Sequence, residues 1–173
     1  MNLYFRLIRI LFKSWFADRI EVLDDCRLAY RVWPFDTDIN LHLTNSRYFA
    51  LCDLARIYFM GQVGILFEAI DRRWLPVVQA QEVTYYKGIK PFRKFEVITR
   101  MRYWDDKYWY IEHQFVTGDT LCARLLVRGV FRHGRDKIPM ADMTALTGQD
   151  IQSPEEAEDI RAWHALLDSK KNA

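Results

Sequence analysis

The residues best suited to chemistry lie within one short segment, between a predicted strand and a predicted helix. Two aspartates, two asparagines and a histidine occur within ten positions of it, namely Asp36, Asp38, Asn40, His42 and Asn45. Backbone N–H groups at a helix start point outward and can hold an oxyanion. A carboxylate and an imidazole beside such a helix end form a minimal hydrolytic site, in which the carboxylate activates water or attacks directly. Because Asp and Asn favour turns and caps in any protein, composition alone leaves a plain turn as the alternative.

Three of these residues alternate along the chain. Asn40 lies two residues after Asp38, and His42 lies four residues after it. An extended segment would place the three side chains on one face, and we predict this arrangement. Asp36 is predicted to be a turn or surface residue.

The elements that must position this segment are predicted from hydrophobic periodicity. A strand covers about residues 26–35, and a long helix follows the segment, with Thr44 or Asn45 as its N-cap. The period then becomes two, which predicts four strands at about 75–88, 92–104, 107–117 and 120–132. The tight turns between these strands predict an antiparallel meander.

The predicted order of elements defines a fold class. Residues 1–20 form an amphipathic helix, residues 21–140 form the main domain, and residues 141–173 form an extension. The helix of this extension begins with Ser153 as N-cap and Pro154 at its first position. One long helix can cover a five-stranded sheet only by lying across its concave face. We therefore predict an α+β protein with a curled antiparallel sheet, a central helix and extra helices at both termini.

The segment resembles a signature of the hotdog-fold thioesterases. In their 4-hydroxybenzoyl-CoA thioesterase-like branch, the signature is close to D-x-N-x-H-x-N-N-x-x-Y and precedes a long central helix. The corresponding residues here are Asp38, Asn40, His42, Thr44, Asn45 and Tyr48. The resemblance covers about residues 24–135 and is closest to a bacterial thioesterase subgroup related to the animal THEM-six proteins. It implies that residues 21–140 form a hotdog domain. Thr44 departs from the signature, which has an asparagine there.

The resemblance also implies an activity and residue roles. It implies an acyl-CoA or acyl-ACP thioesterase that releases free acid and thiol, with Asp38 as general base or nucleophile. Asn40 and His42 then orient water or the thioester carbonyl, while Asn45 and Tyr48 contact the substrate. A hotdog protein that binds an acyl thioester without hydrolysing it, as a sensor or carrier, is the alternative. Two units of the resembled family join their sheets edge to edge, which implies a homodimer or a tetramer.

Other charged residues are interpreted from their spacing. Lys90 and Arg93 flank Pro91 and are predicted to meet the phosphates of coenzyme A, with plain solubilising charge as the alternative. Asp53 has Arg56 three residues later, which favours an ion pair over a catalytic acid on the helix. A stripe of arginines on the last long strand is predicted to be a solvated sheet face: Arg124, Arg128 and Arg132.

Composition excludes several classes of protein and site. The net charge of +2, from 25 basic and 23 acidic residues, is too balanced for a nucleic-acid-binding protein. Three cysteines without a CxxC motif favour a reducing compartment, so we expect a cytoplasmic location. The four histidines form no ligand-spaced cluster. We expect no metal, and no cofactor apart from the CoA or ACP part of the substrate.

The first sixteen residues combine apolar and basic side chains. Arg6, Arg9 and Lys13 are spaced by three and four and share one helical face. The segment is too short and too charged for a transmembrane helix. It is predicted to be a helix that either makes a peripheral contact with a membrane through residues 1–16 or packs on its own domain.

Overall fold

The computed structural model of the protein describes residues 3–171. Five long strands form an antiparallel sheet that curls around a central helix of 18 residues, as predicted. In chain order the elements are α1 (Leu3–Trp15), β1 (Cys26–Arg31), α2 (Asn45–Gln62), α3 (Leu66–Asp71), β2 (Leu75–Tyr85), β3 (Lys94–Trp104), β4 (Trp109–Thr117), β5 (Thr120–His133), β6 (Asp136–Ile138), α4 (Met140–Ala145) and α5 (Glu158–Lys171). A short 3₁₀ helix, Pro34–Asp36, follows β1.

The strand order is β1-β3-β4-β5-β2, and the short β6 pairs with β5. The predicted meander is correct for β3 to β5 but wrong for β2. That strand pairs with β5, where Val83 lies opposite Leu125, and does not pair with β3. Residues 86–93 therefore cross the sheet, from β2 at one edge to β3, which lies next to the other edge strand.

The central helix α2 lies in the concavity of the sheet. Leu51, Ala55 and Phe59 are all buried along it, and other faces of the helix are buried as well. A helix that is apolar on more than one side belongs inside a core, which explains why the sheet wraps it. Thr44 occupies the N-cap position in an extended conformation, and Asn45 is the first helical residue.

The N-terminal helix α1 packs on its own domain, against α2. Its inward residues Ile10 and Ser14 are buried, and Ser14 contacts Gly61 of α2. A Cβ at Gly61 would lie 2.5 Å from the Ser14 Cβ, so a glycine is needed for this close approach. No helix within residues 3–171 has the length and apolar content to cross a bilayer.

The C-terminal helix begins later than predicted. It starts at Glu158, and Ser153 does not cap it. Instead, the Ser153 hydroxyl accepts a hydrogen bond from the backbone N–H of Trp104 at 2.9 Å, which ties the preceding segment to the end of β3. The helix α5 then lies on the outer face of the sheet, where Trp163 meets the edge of Tyr110.

This position of α5 overturns the prediction of a solvated arginine face. Arg128 is 1% exposed, with its guanidinium 4.6 Å from the Tyr108 ring centre and 3.5 Å from the Tyr110 hydroxyl. Asp168 of α5 lies 3.9 Å from the same guanidinium. Arg124 likewise forms ion pairs with a neighbouring strand and with α5. The strand pattern is amphipathic, as predicted, but α5 covers its polar side at Arg124 and Arg128. Arg132, the third residue of the predicted face, is partly buried and donates to the carbonyl of Arg135 at 2.5 Å.

Candidate active site

The segment from Asp38 to His42 forms a closed turn and is not extended. One carboxylate oxygen of Asp38, Oδ1, accepts the backbone N–H groups of Asn40 at 2.9 Å and His42 at 3.2 Å. The backbone N–H of Asp38 donates to the carbonyl of His42 at 2.9 Å and closes the loop. The predicted extended arrangement is therefore wrong. The Asp38 side chain accepts the Asn40 N–H two residues later, which is a common local pairing for aspartate. In an extended chain this N–H would have no such partner.

Only one of the two Asp38 carboxylate oxygens is used by the turn. Within residues 3–171, no hydrogen bond reaches the second oxygen, Oδ2, and the side chain is only partly buried. Leu41 completes the turn with a φ of 55°, a strained conformation for a leucine. One oxygen thus fixes the loop, and the other is available to a water molecule or a carbonyl carbon.

Asp36 anchors the start of this loop from inside the protein. The prediction of a turn or surface role is wrong on burial, since Asp36 is 1% exposed. Its carboxylate forms an ion pair with Arg6 of α1 and accepts the backbone N–H of Trp33 at 3.1 Å. Its carbonyl accepts the backbone N–H of Thr44 at 2.9 Å, directly before α2. The loop is therefore held at both ends through one buried residue.

His42 lies against the connection between β2 and β3. A Cβ at Gly88 would lie 2.5 Å from Cδ2 of the imidazole, so any larger residue would displace the ring. The next residue, Leu43, donates its backbone N–H to the carbonyl of Ile89 at 2.8 Å. Sequence reasoning missed Gly88. The only available signal was a glycine at the end of a strand, which also fits a simple turn.

Tyr48 is buried one turn into α2. Its ring packs on Tyr85 and Phe115, with centroid distances of 5.1 and 4.7 Å. Burial, with smaller contributions from neighbours that include Asp38, raises the pKa of the Tyr48 phenol far above its usual range. The phenol therefore stays protonated at physiological pH, so it can donate a hydrogen bond but cannot act as a base.

The other predicted contact residues are exposed around this loop. Asn45 is at the first position of α2, and the side chain of Asn40 points to solvent. We call residues 36–44 the Asp38 loop. Lys90 follows Ile89, whose carbonyl accepts the backbone N–H of Leu43 in this loop, so Lys90 lies on the adjoining surface. Arg93 lies farther along, where its carbonyl accepts the N–H of Val32. The structure joins Asp38 and His42 through a hydrogen bond and places Tyr48 one turn into the helix that follows. Lys90 and Arg93 lie at the periphery.

A second polar cluster lies in the core, beneath the middle of α2. The predicted ion pair between Asp53 and Arg56 is confirmed. Arg56 also donates to Nε2 of the buried His113 at 3.5 Å, while Nδ1 of this ring lies 2.9 Å from the Thr99 hydroxyl. Since an arginine can only donate, Nε2 is the acceptor and Nδ1 carries the proton. Burial and the charge of Arg56 lower the pKa of His113 well below its usual value.

Asp38 and His42 are partly buried, while Ile39, Asn40 and Leu41 between them are exposed, so the Asp38 loop faces solvent in a single chain. Residues 3–171 contain no group of three or more side chains suited to hold a metal ion. The chemistry available at the loop is that of a carboxylate, an imidazole and the N–H groups of a helix start.

A curled sheet in this strand order around one helix, with a carboxylate loop at the start of that helix, defines the hotdog class of thioester hydrolases. A family model described as the Thioesterase-like superfamily matches residues 32–163. The chain belongs to this superfamily.

Individual relatives agree with this assignment. The chain is 32% identical over 142 residues to the Xenopus laevis protein named THEM6, covering 80% of this chain and 66% of the frog protein. A Saccharomyces cerevisiae protein described as a probable thioesterase is 31% identical over 119 residues, 66% of this chain and 51% of the yeast protein. The fold of this chain is similar to that of 4-hydroxybenzoyl-CoA thioesterase from Pseudomonas sp. strain CBS-3. That comparison has a TM-score of 0.62 and 17% identity, covering 70% of this chain and 98% of the other.

Proposed function

We propose that the protein hydrolyses an acyl-CoA or acyl-ACP thioester to the free acid and thiol, with Asp38 as the reacting carboxylate. The observation that carries this proposal is the Asp38 carboxylate, whose Oδ1 is held by two backbone N–H groups while Oδ2 is accessible. The name of the Pseudomonas structural relative, a CoA thioesterase, supports CoA as the thiol carrier. Residues 21–140 carry this activity in the proposal.

As a general base, Asp38 takes a proton from water through Oδ2 while the water oxygen bonds to the thioester carbonyl carbon. The carbon–sulfur bond then breaks, and the thiolate leaves and regains the proton from Asp38. As a nucleophile, Oδ2 itself bonds to the carbonyl carbon, the thiolate leaves, and water hydrolyses the acyl-aspartyl anhydride. Both routes use the same residue.

The carbonyl oxygen becomes negatively charged in either route and needs hydrogen-bond donors. Asn45 and Ser46 open α2, and the backbone N–H groups of a first helical turn have no partner within the helix. We assign these N–H groups as the oxyanion donors. The Asn40 amide and the His42 imidazole orient the water or the carbonyl in this proposal.

The remaining substrate contacts follow from position and charge. The Tyr48 phenol, which stays protonated, donates toward the bound thioester. Lys90 and Arg93 are exposed on the adjoining connection and meet the phosphates of CoA or the acidic surface of ACP. No further cofactor takes part.

We propose a homodimer, with a tetramer as the larger alternative. Among residues 3–171, β2 pairs only with β5, which leaves its other edge open within this part of the chain. Leu75, Val77 and Tyr85 on this strand are exposed. An open apolar edge is a site for pairing with a second copy. Ile39, at the tip of the Asp38 loop, is 98% exposed, and a second copy could also bury this apolar side chain. Light scattering that shows a monomer at micromolar concentration would contradict this part of the proposal.

A cytoplasmic location is supported by the cysteines. All three thiols, Cys26, Cys52 and Cys122, are free and buried. Burial raises the pKa of Cys26 to about 12, which keeps this thiol protonated and inert. Peripheral contact of residues 1–16 with a membrane belongs to the same proposal, because the outward side of α1 is apolar.

The main alternative is a hotdog protein that binds an acyl thioester without hydrolysing it. The use of Asp38 as a loop anchor favours this alternative, because the anchoring role alone explains the residue. A free-thiol assay across acyl-CoA chain lengths distinguishes the two functions. Hydrolysis of at least one substrate supports the enzyme, whereas tight binding without thiol release from any of them supports the sensor or carrier.

A further inference from the structure

The outward side of α1 is an uninterrupted apolar ridge. Six large side chains on this side of α1 and on the residue that follows the helix each expose 64–72% of their surface: Tyr4, Phe5, Ile8, Phe12, Trp15 and Phe16. Their spacing of three and four places them on one side of the helix, opposite the buried Ile10 and Ser14. Single exposed apolar residues are ordinary, but a contiguous group of this kind marks an interaction surface.

The ridge continues onto a second helix. Trp15 contacts Phe67 of α3 edge to face, with 5.0 Å between the ring centres, and both rings are exposed. Ile70, also on α3, is 52% exposed. The surface is therefore built by two helices that the domain core holds in place. We call α1 and α3 together, with these exposed residues, the apolar ridge.

A basic cleft borders this ridge between α1 and the edge strand β1. It has a volume of about 340 Å³, and its charged lining residues are all basic: Arg6, Arg9, Lys13, Arg31 and Lys94. The Arg6 charge is already paired with Asp36, which leaves four exposed cations at the cleft. Positive charge beside exposed aromatic rings complements an anionic lipid surface, where phosphates lie above hydrocarbon.

We propose that the apolar ridge and the basic cleft dock the protein on an anionic lipid bilayer. The aromatic rings of the ridge enter the boundary between headgroups and acyl chains, and Arg9 and Lys13 meet the lipid phosphates. A second copy is the less suitable occupant, because a two-fold contact through the same surface would bring the basic clefts together. This inference rests on the membrane contact proposed above for residues 1–16 and adds its partner and its second helix, but it does not depend on hydrolysis by Asp38.

The test uses the full-length protein and sedimentation with vesicles of phosphatidylcholine, alone or mixed with phosphatidylglycerol. The wild type is expected to bind the mixed vesicles, and added salt should weaken this binding. The variant Phe5→Gln/Ile8→Gln/Phe12→Gln should bind at least about tenfold more weakly. The variant Arg9→Gln/Lys13→Gln should lose about fivefold per charge on the mixed vesicles and little on the neutral ones. Leu166→Gln, an exposed position on α5, is the matched control and should bind as the wild type does.

Three outcomes would overturn the inference. The first is a wild type that does not bind mixed vesicles, and the second is a ridge variant that binds them as well as the wild type does. The third is a ridge variant that is monomeric in lipid-free solution where the wild type is dimeric, which would assign the surface to a second copy. Hydrolysis of a soluble short-chain acyl-CoA is measured in parallel. The rate of hydrolysis should be unchanged in both variants. If the wild type binds vesicles but hydrolyses no acyl-CoA, that result contradicts only the proposed enzyme activity.

Discussion

Arg6 of the N-terminal helix and Asp36 of the Asp38 loop form a buried ion pair, although thirty residues separate them in the chain. Arg47, in the first turn of α2, approaches the same carboxylate, with Nε 3.3 Å from Oδ1 in an ion-pair contact without hydrogen-bond geometry. One carboxylate thus links α1, the loop and the start of α2. The N-terminal helix is part of the framework that positions Asp38.

The first prediction follows from this ion pair. Arg6→Met should lower the free energy of unfolding by about 3 kcal/mol, because the buried Asp36 charge would lose its main partner. Arg9→Met changes an exposed arginine of the same helix and should alter the stability by less than about 0.5 kcal/mol. Urea unfolding of both variants measures the difference. Equal free energies of unfolding for Arg6→Met and Arg9→Met would show that Arg47 alone is a sufficient partner for the Asp36 carboxylate.

The linkage between Arg6 and Asp36 could not be predicted from the sequence. The periodicity of residues 1–16 indicates a basic stripe, but it does not show that one of its arginines turns inward. Asp36 is a polar residue in a turn-forming segment, where exposure is the usual outcome. Only the docking of α1 on α2, which Gly61 permits, brings the two residues together.

Local patterns were sufficient where a contact is near in sequence. The central helix, the hairpins from β3 to β5 and the ion pair between Asp53 and Arg56 were all predictable from spacing. The partner of β2 and the burial of Arg128 depend on the curl of the sheet and on the place where α5 lies. These are long-range outcomes that periodicity does not encode. For the candidate site, the sequence indicated a cluster of polar residues before α2, but the turn around Asp38 was visible only in the structure.

The second prediction concerns Asp38. The substitution Asp38→Asn preserves the turn and removes the base, because the amide oxygen of the new side chain can still accept the N–H groups of Asn40 and His42. We expect kcat to fall by about two to four orders of magnitude, with acyl-CoA binding largely kept. Steady-state kinetics and equilibrium binding measure the two effects separately. Asp53→Asn is the control, and full activity in Asp38→Asn with none in Asp53→Asn would move the reacting carboxylate to α2.

The third prediction tests the contact between Gly88 and His42. Gly88→Ala should displace the imidazole, because the new methyl would lie within 3 Å of three ring atoms. We expect a loss of about 1–3 kcal/mol in stability and a reduced kcat. The double variant Gly88→Ala/His42→Ala removes the ring and should be more stable than Gly88→Ala alone. If the double variant is no more stable, the steric conflict lies elsewhere in the connection.

The last prediction concerns pH and the buried His113. In the unfolded chain this histidine binds a proton below a pKa of about 6.5, whereas burial and the Arg56 charge keep it neutral in the folded protein. The unfolded state therefore binds more protons below this pH, so stability contributed by the neutral ring is present above it and is lost as the pH falls. The slope for one group is at most about 1.4 kcal/mol per pH unit. His113→Gln keeps an acceptor for Arg56 and should flatten the dependence of unfolding free energy on pH between about 6.5 and 5. His133→Gln, at an exposed position, should leave the slope unchanged. Equal slopes in the wild type and His113→Gln would show that another group is responsible.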